Sequence, residues 1–108
     1  MSEIHPLDRL FATIAARQTA GYTGQSYTAK LLSQGVEKCA KKFGEEAVET
    51  VLAAVSGDKA QLAAESADVL YHLLVLWAAA GILPGDVYAA LKSRESRSGL
   101  AEKASRNV

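Results

Sequence analysis

Four carboxylates, Glu46, Glu49, Glu65 and Asp68, fall as two pairs spaced three apart, placed symmetrically about Gly57. Residues three apart share one face of a helix, so a chain that doubles back at Gly57 sets Glu49 level with Glu65, and Glu46 level with Asp68. Four acids then converge on one groove. Like charges that close repel, and a buried cluster of them needs neutralising. An all-carboxylate set with no cysteine pair and no second nearby histidine favours a hard cation, Mg²⁺ or Mn²⁺, over zinc, and the Glu-x-x-His pattern of a di-iron bundle is absent. Mg²⁺ commonly bridges one or two carboxylates to substrate phosphates, so four acids suggest more than one ion and a polyphosphate substrate.

The plainer alternative is a solvated acidic surface paired with lysines one turn away. Lys41 stands four before Glu45 and Lys42 four before Glu46, so those two glutamates have local cations within reach. Glu49 and Glu65 have none at helical offsets, and Asp68 has only His72. Lys38, Lys41 and Lys42 are candidates for phosphate contacts, with an exposed basic face as the alternative for each. His72 reads first as a core histidine and second as a group orienting a carboxylate or water, Trp77 reads as a core or interface residue, and Gly21 to Ser26 matches no phosphate-loop spacing.

The elements that must position these acids are all helical. Leu7, Leu10, Phe11 and Ile14 share one face of a helix running from about Pro6 to Gln18. Gly21 and Gly24 interrupt it, Ser26 caps a short piece containing Leu31 and Leu32, and Gly35 marks a kink or break. From Val36 to Val55 the residues Val48, Val51, Leu52 and Val55 form one apolar stripe. Ser56 and Gly57 end that helix, and Asp58 with Gln61 forms a variant capping box opening another that runs to about Ala80. Gly81 ends it and Pro84 starts a last helix carrying Val87, Tyr88 and Leu91. No run alternates like a strand. The fold expected is all-α, a helical bundle on an antiparallel hairpin, forming a single domain over residues 1–108. Val69 to Ala80 is apolar nearly all round, which predicts burial against a second copy.

Composition narrows the partners. Lys plus Arg and Asp plus Glu number 12 each, so overall charge gives no reason to expect nucleic acid. The stretch from Val69 to Leu83 is broken by His72 and Gly81 and falls short of the roughly 20 residues of a bilayer span, so no membrane is expected. Cys39 is the one cysteine and Met1 to Arg9 lacks an apolar signal core, which makes the cytoplasm the default compartment.

The run Glu45-Glu46-x-x-Glu49 followed by Glu65-x-x-Asp68 resembles the signature of the all-α nucleoside triphosphate pyrophosphatases, a MazG-like fold. Within that superfamily the lead-in Ser26 to Leu32, then Gly35, Lys38, Lys41 and Lys42, the run Asp68 to Leu74, and the tail Arg97 to Arg106 are similar to the phosphoribosyl-ATP pyrophosphohydrolase family. The resemblance covers nearly the whole chain. It implies Mg²⁺-dependent hydrolysis of phosphoribosyl-ATP to phosphoribosyl-AMP and pyrophosphate, the second step of histidine biosynthesis, by a homodimer. It also implies Glu46, Glu49, Glu65 and Asp68 as metal and catalytic acids, with Glu45 next in line, and Lys30, Lys42 and Arg97 as substrate contacts. The rivals are a house-cleaning pyrophosphatase acting on ordinary or damaged triphosphates and a non-catalytic dimerisation module holding a structural cation. The lysine-rich lead-in and the tail argue against the first, and the second predicts tight Mg²⁺ or Ca²⁺ binding without turnover.

Overall fold

The computed structural model describes residues 4–95. It contains five helices among those residues: α1 (Pro6–Ala20), α2 (Tyr27–Ser33), α3 (Val36–Ser56), α4 (Lys59–Ala80) and α5 (Pro84–Glu95). The all-α reading therefore holds, and each boundary has a local cause. Pro6 occupies the first turn of α1, and the His5 ring accepts from the Leu7 amide. The helix runs two residues past Gln18, to Ala20, because the break falls at Gly21, whose φ of 77° few other residues adopt. Ser26 caps α2, its Oγ accepting from the Ala29 amide at 3.1 Å. Gly35, at φ 91°, separates α2 from α3 outright, so the kink-or-break alternative resolves as a break.

The α3–α4 hairpin is the spine. Gly57 takes the left-handed conformation that ends α3, and Asp58 Oδ1 accepts from the Gln61 amide at 3.0 Å to open α4. The box is not reciprocal. Ser56 Oγ, 3.5 Å away, takes the Asp58 amide instead, which frees the Gln61 side chain to donate to Glu65 Oε1 at 2.7 Å.

The core lies at the end of the hairpin far from Gly57. Ile14 of α1, Leu31 of α2, Cys39 of α3, and Leu74, Val75 and Ala78 of α4 are buried together. Leu7, Leu10, Phe11, Tyr71 and Trp77 pack around them. Cys39 is a core residue, its thiol donating to the Leu31 carbonyl at 3.3 Å, and burial pushes its pKa up. Gln18 Nε2 donates to the Ala78 carbonyl and the Thr28 and Tyr71 hydroxyls bond to each other, fixing α1 and α2 to α4.

Within the α4 segment from Val69 to Ala80, His72, Leu74, Val75 and Ala78 are buried by the chain's own helices, while Leu70 stays 42% exposed. A longer uncovered apolar stripe lies on α3, where Val48, Val51, Leu52 and Val55 are all exposed, Val55 at 81%. Counted from Lys59, α4 is long and apolar enough by length and composition to cross a bilayer, unlike the shorter segment considered from sequence. Its packing against α3 and α1 and its Glu65, Asp68 and His72 identify it as the central helix of a bundle.

Candidate active site

Folding the hairpin brings three of the four acids together. Carboxylate oxygens of Glu46, Glu65 and Asp68 all lie within 4.8 Å of one another, with Glu46 and Glu65 half-buried and Asp68 exposed. Glu49 stands outside that group, exposed, one turn further along α3. The register is held at this level by Thr50, whose hydroxyl lies 2.9 Å from the Glu46 carbonyl and 3.2 Å from the Glu65 carbonyl. One side chain thereby ties the backbone of α3 to that of α4 beside the acids. Gln61 orients the Glu65 carboxylate from one turn earlier on α4.

The lysine pairing differs from simple i, i+4 spacing. Lys42 Nζ lies 3.4 Å from Glu45 Oε2, three residues on, rather than on Glu46. Glu46 faces α4 and joins Glu65 and Asp68, so the cation that its position offered is engaged by Glu45. The Lys42 ammonium is held above its ordinary pKa, first by the Tyr27 phenol and then by the Glu45 hydrogen bond. Three converging carboxylates on two helices, with no cysteine or histidine among them, match the oxygen ligands that a hard cation prefers.

Beside the acids, the first turns of α3 and the helix α2 enclose an open cavity of about 290 Å³. Tyr27, Lys30, Lys38, Lys41, Lys42 and Glu45 contribute to its walls. Lys30 and Lys42, the expected substrate contacts, thus share one cavity, although they come from different helices. Arg97, the third expected contact, lies outside the described residues, as does the tail to Arg106.

His72 links the two regions. It is buried at 6% exposure, edge-on to Tyr71 at 4.9 Å and to Tyr27 of the lysine cavity at 6.4 Å. Burial holds its pKa below the ordinary value, opposed by the nearby Glu46 charge, so at neutral pH it stays uncharged. The sequence reading as a core histidine stands. What that reading missed was the aromatic wall of Tyr27 and Tyr71 around it, which lone tyrosines at unremarkable helical positions do not announce.

Comparison with known proteins follows the same lines. A family profile described as phosphoribosyl-ATP pyrophosphohydrolase matches residues 7–95. A protein of Parvibaculum lavamentivorans named phosphoribosyl-ATP pyrophosphatase is 65% identical over 100 residues, covering 93% of this chain and 91% of its own length. Proteins of the same name from Azospirillum brasilense and Paracoccus denitrificans are 59% and 57% identical, the second over 98% of this chain and 99% of its own.

Proposed function

The chain belongs to the phosphoribosyl-ATP pyrophosphohydrolase family, and from that premise we propose that it hydrolyses phosphoribosyl-ATP to phosphoribosyl-AMP and pyrophosphate, the second step of histidine biosynthesis. The observation that carries the reading at this site is the convergence of Glu46, Glu65 and Asp68 next to a lysine-lined cavity. Acids that gather a cation and lysines that receive phosphates are the two halves of a polyphosphate site.

Glu46, Glu49, Glu65 and Asp68 are the proposed metal ligands and catalytic acids, with the first, third and fourth forming the nucleus and Glu49 joining from the next turn of α3. Mg²⁺ bound there would offset phosphate charge and acidify the attacking water. The chain's own residues do the rest. Lys42 and Lys30 hold phosphate oxygens of the substrate from two helices, which fixes it along the α2–α3 face before the anhydride is cut. Gln61 keeps Glu65 in one orientation and Thr50 keeps the two acid-bearing helices in register, which limits the reorganisation needed at each turnover. Arg97 is proposed as a further substrate contact.

The exposed stripe Val48, Val51, Leu52 and Val55 supports a homodimer joined through α3. The cytoplasm is the proposed compartment, and its reducing conditions suit the free, buried Cys39.

The reading is tested by pyrophosphate release from phosphoribosyl-ATP, with and without Mg²⁺, beside ATP and dUTP. Mg²⁺-dependent turnover confined to phosphoribosyl-ATP is the expected result. Turnover of the ordinary triphosphates in its place would move the protein to the house-cleaning enzymes, and none at all would leave a structural cation site.

A further inference from the structure

The lysine cavity draws its cations from two helices and several turns. Lys38, Lys41, Lys42 and Glu45 recur on one face of α3 and line it together, leading up to Glu46. At 1.5 Å per residue, Lys42 stands about 6 Å before Glu46 along the axis and Lys38 about 12 Å. Lys38 thus stands on the turn of α3 farther from the acids, while Glu46 joins Glu65 and Asp68 of α4. Lys30 and Gln34, at the end of α2, face Lys38 across the same cavity.

The charge is one-sided. Four ammoniums line the cavity against one carboxylate, Glu45, and that carboxylate is engaged by Lys42. Among the described residues no carboxylate lies within ion-pair distance of Lys30, Lys38 or Lys41. A cluster of like charges around a concave surface repels itself until an anion enters. Its volume of about 290 Å³ sits at the lower edge of the roughly 300–1,000 Å³ typical of pockets that enclose a whole ligand, so it suits one portion of a nucleotide.

Resting on the function proposed above, we propose that the Lys30–Lys38 end of this cavity is a second anion subsite that takes the phosphomonoester of the substrate's phosphoribosyl unit. Phosphoribosyl-ATP carries phosphate at both ends, a triphosphate and a separate monoester, whereas ATP carries phosphate at one. The acids and Lys42 engage the triphosphate. Lys38, with Lys30 opposite, grips the far end and selects the doubly phosphorylated nucleotide over ordinary triphosphates. Lys38 is then a specificity residue that touches no reacting atom.

The test uses the full chain and the variants Lys38→Gln and Lys38→Arg, with ribose 5-phosphate and inorganic pyrophosphate as probes. Lys38→Gln is expected to raise KM for phosphoribosyl-ATP about tenfold with kcat within about twofold, and Lys38→Arg to restore most of the loss. The inhibition constant of ribose 5-phosphate should rise by a similar factor, and that of pyrophosphate by less than about twofold. If Lys38→Gln weakens pyrophosphate and spares ribose 5-phosphate, the cavity holds the leaving group and the proposal fails. An unchanged KM fails it too. Binding of ribose 5-phosphate, followed by amide shifts across residues 30–42, needs no turnover. A protein that binds ribose 5-phosphate there, and loses it in Lys38→Gln, keeps the subsite even if phosphoribosyl-ATP is not hydrolysed, whereas hydrolysis without such binding overturns the subsite alone.

Discussion

The two ends of the α3–α4 hairpin are built to different rules. At the open end, α1 and α2 lie across it and bury Ile14, Leu31, Cys39, Leu74 and Val75 to 3% exposure or less. At the Gly57 end, among the described residues, the same two helices have only each other, Ala53 alone is buried on the second half of α3, and Val51, Leu52 and Val55 face outward. The acids sit at the boundary, where α3 and α4 still pack but α1 and α2 no longer cover them. A carboxylate cluster placed among Leu74 and Val75 would cost several kcal/mol per charge, whereas at the boundary it keeps a route to solvent and to substrate. The site is therefore where rigidity from one end meets access at the other.

The largest effect expected is on that boundary. Asp68→Asn and Glu46→Gln each remove a charge at nearly constant volume and should lower kcat by more than about a hundredfold, since even groups that only support metal ligands cost roughly 10–100-fold when changed. Far-UV circular dichroism should stay that of the parent, because neither residue belongs to the buried core. Near-parent rates in both would remove the site from the boundary. Glu49→Gln sharpens the point. Glu49 is exposed and outside the 4.8 Å group, so its loss is expected to exceed tenfold yet fall short of the Asp68→Asn loss, with a weaker response to added Mg²⁺. A Glu49→Gln enzyme as fast as the parent would confine the ligands to the other three.

The packing difference makes a second pair of predictions. Leu74→Ala, at 1% exposure, should destabilise the fold by about 2–5 kcal/mol in urea titrations, because it opens a cavity in the closed end. Val51→Lys with Leu52→Lys, both 59% exposed, should leave the circular dichroism of the subunit intact and shift sedimentation from dimer to monomer. A double variant that sediments like the parent would mean that α3 is not the face that pairs.

Much of this layout was legible in the residues. Gly21, Gly35, Gly57 and Gly81 punctuate the helices where positive φ is required, and Pro6, Ser26 and Asp58 begin them by supplying a tolerated ring or a capping oxygen. The two acid pairs predicted a shared groove by counting outward from Gly57, and Glu46, Glu65 and Asp68 meet there while Glu49 does not. Three things resisted the same reading. Periodicity identifies an apolar stripe but not what covers it, so it did not show that Val48, Val51, Leu52 and Val55 stand exposed on the subunit. Offsets of three and four compete, and tertiary pull decided that Lys42 meets Glu45 while Glu46 turns to α4. The lysine cavity needed α2 folded against α3, a contact between segments that no local spacing encodes.

The smallest expected effect concerns the turn that sets the register of the acids. Asp58 Oδ1 satisfies the Gln61 amide, and Gln61 in turn holds Glu65. Asp58→Ala removes the cap and should cost about 1 kcal/mol, the usual loss for a capping carboxylate. In a domain of this size that lowers Tm by roughly 4–8 °C, readable by calorimetry. Because the Gly57 end is not covered by α1 or α2, fraying there should loosen Glu65 before it loosens Leu74. Hydrogen exchange should therefore accelerate over residues 59–66 while residues 72–78 stay protected. Kinetically, KM for Mg²⁺ should rise by a few-fold while the melting transition remains single. Uniform acceleration along α4 would instead mean that the two ends unfold as one unit and that the boundary carries no mechanical distinction.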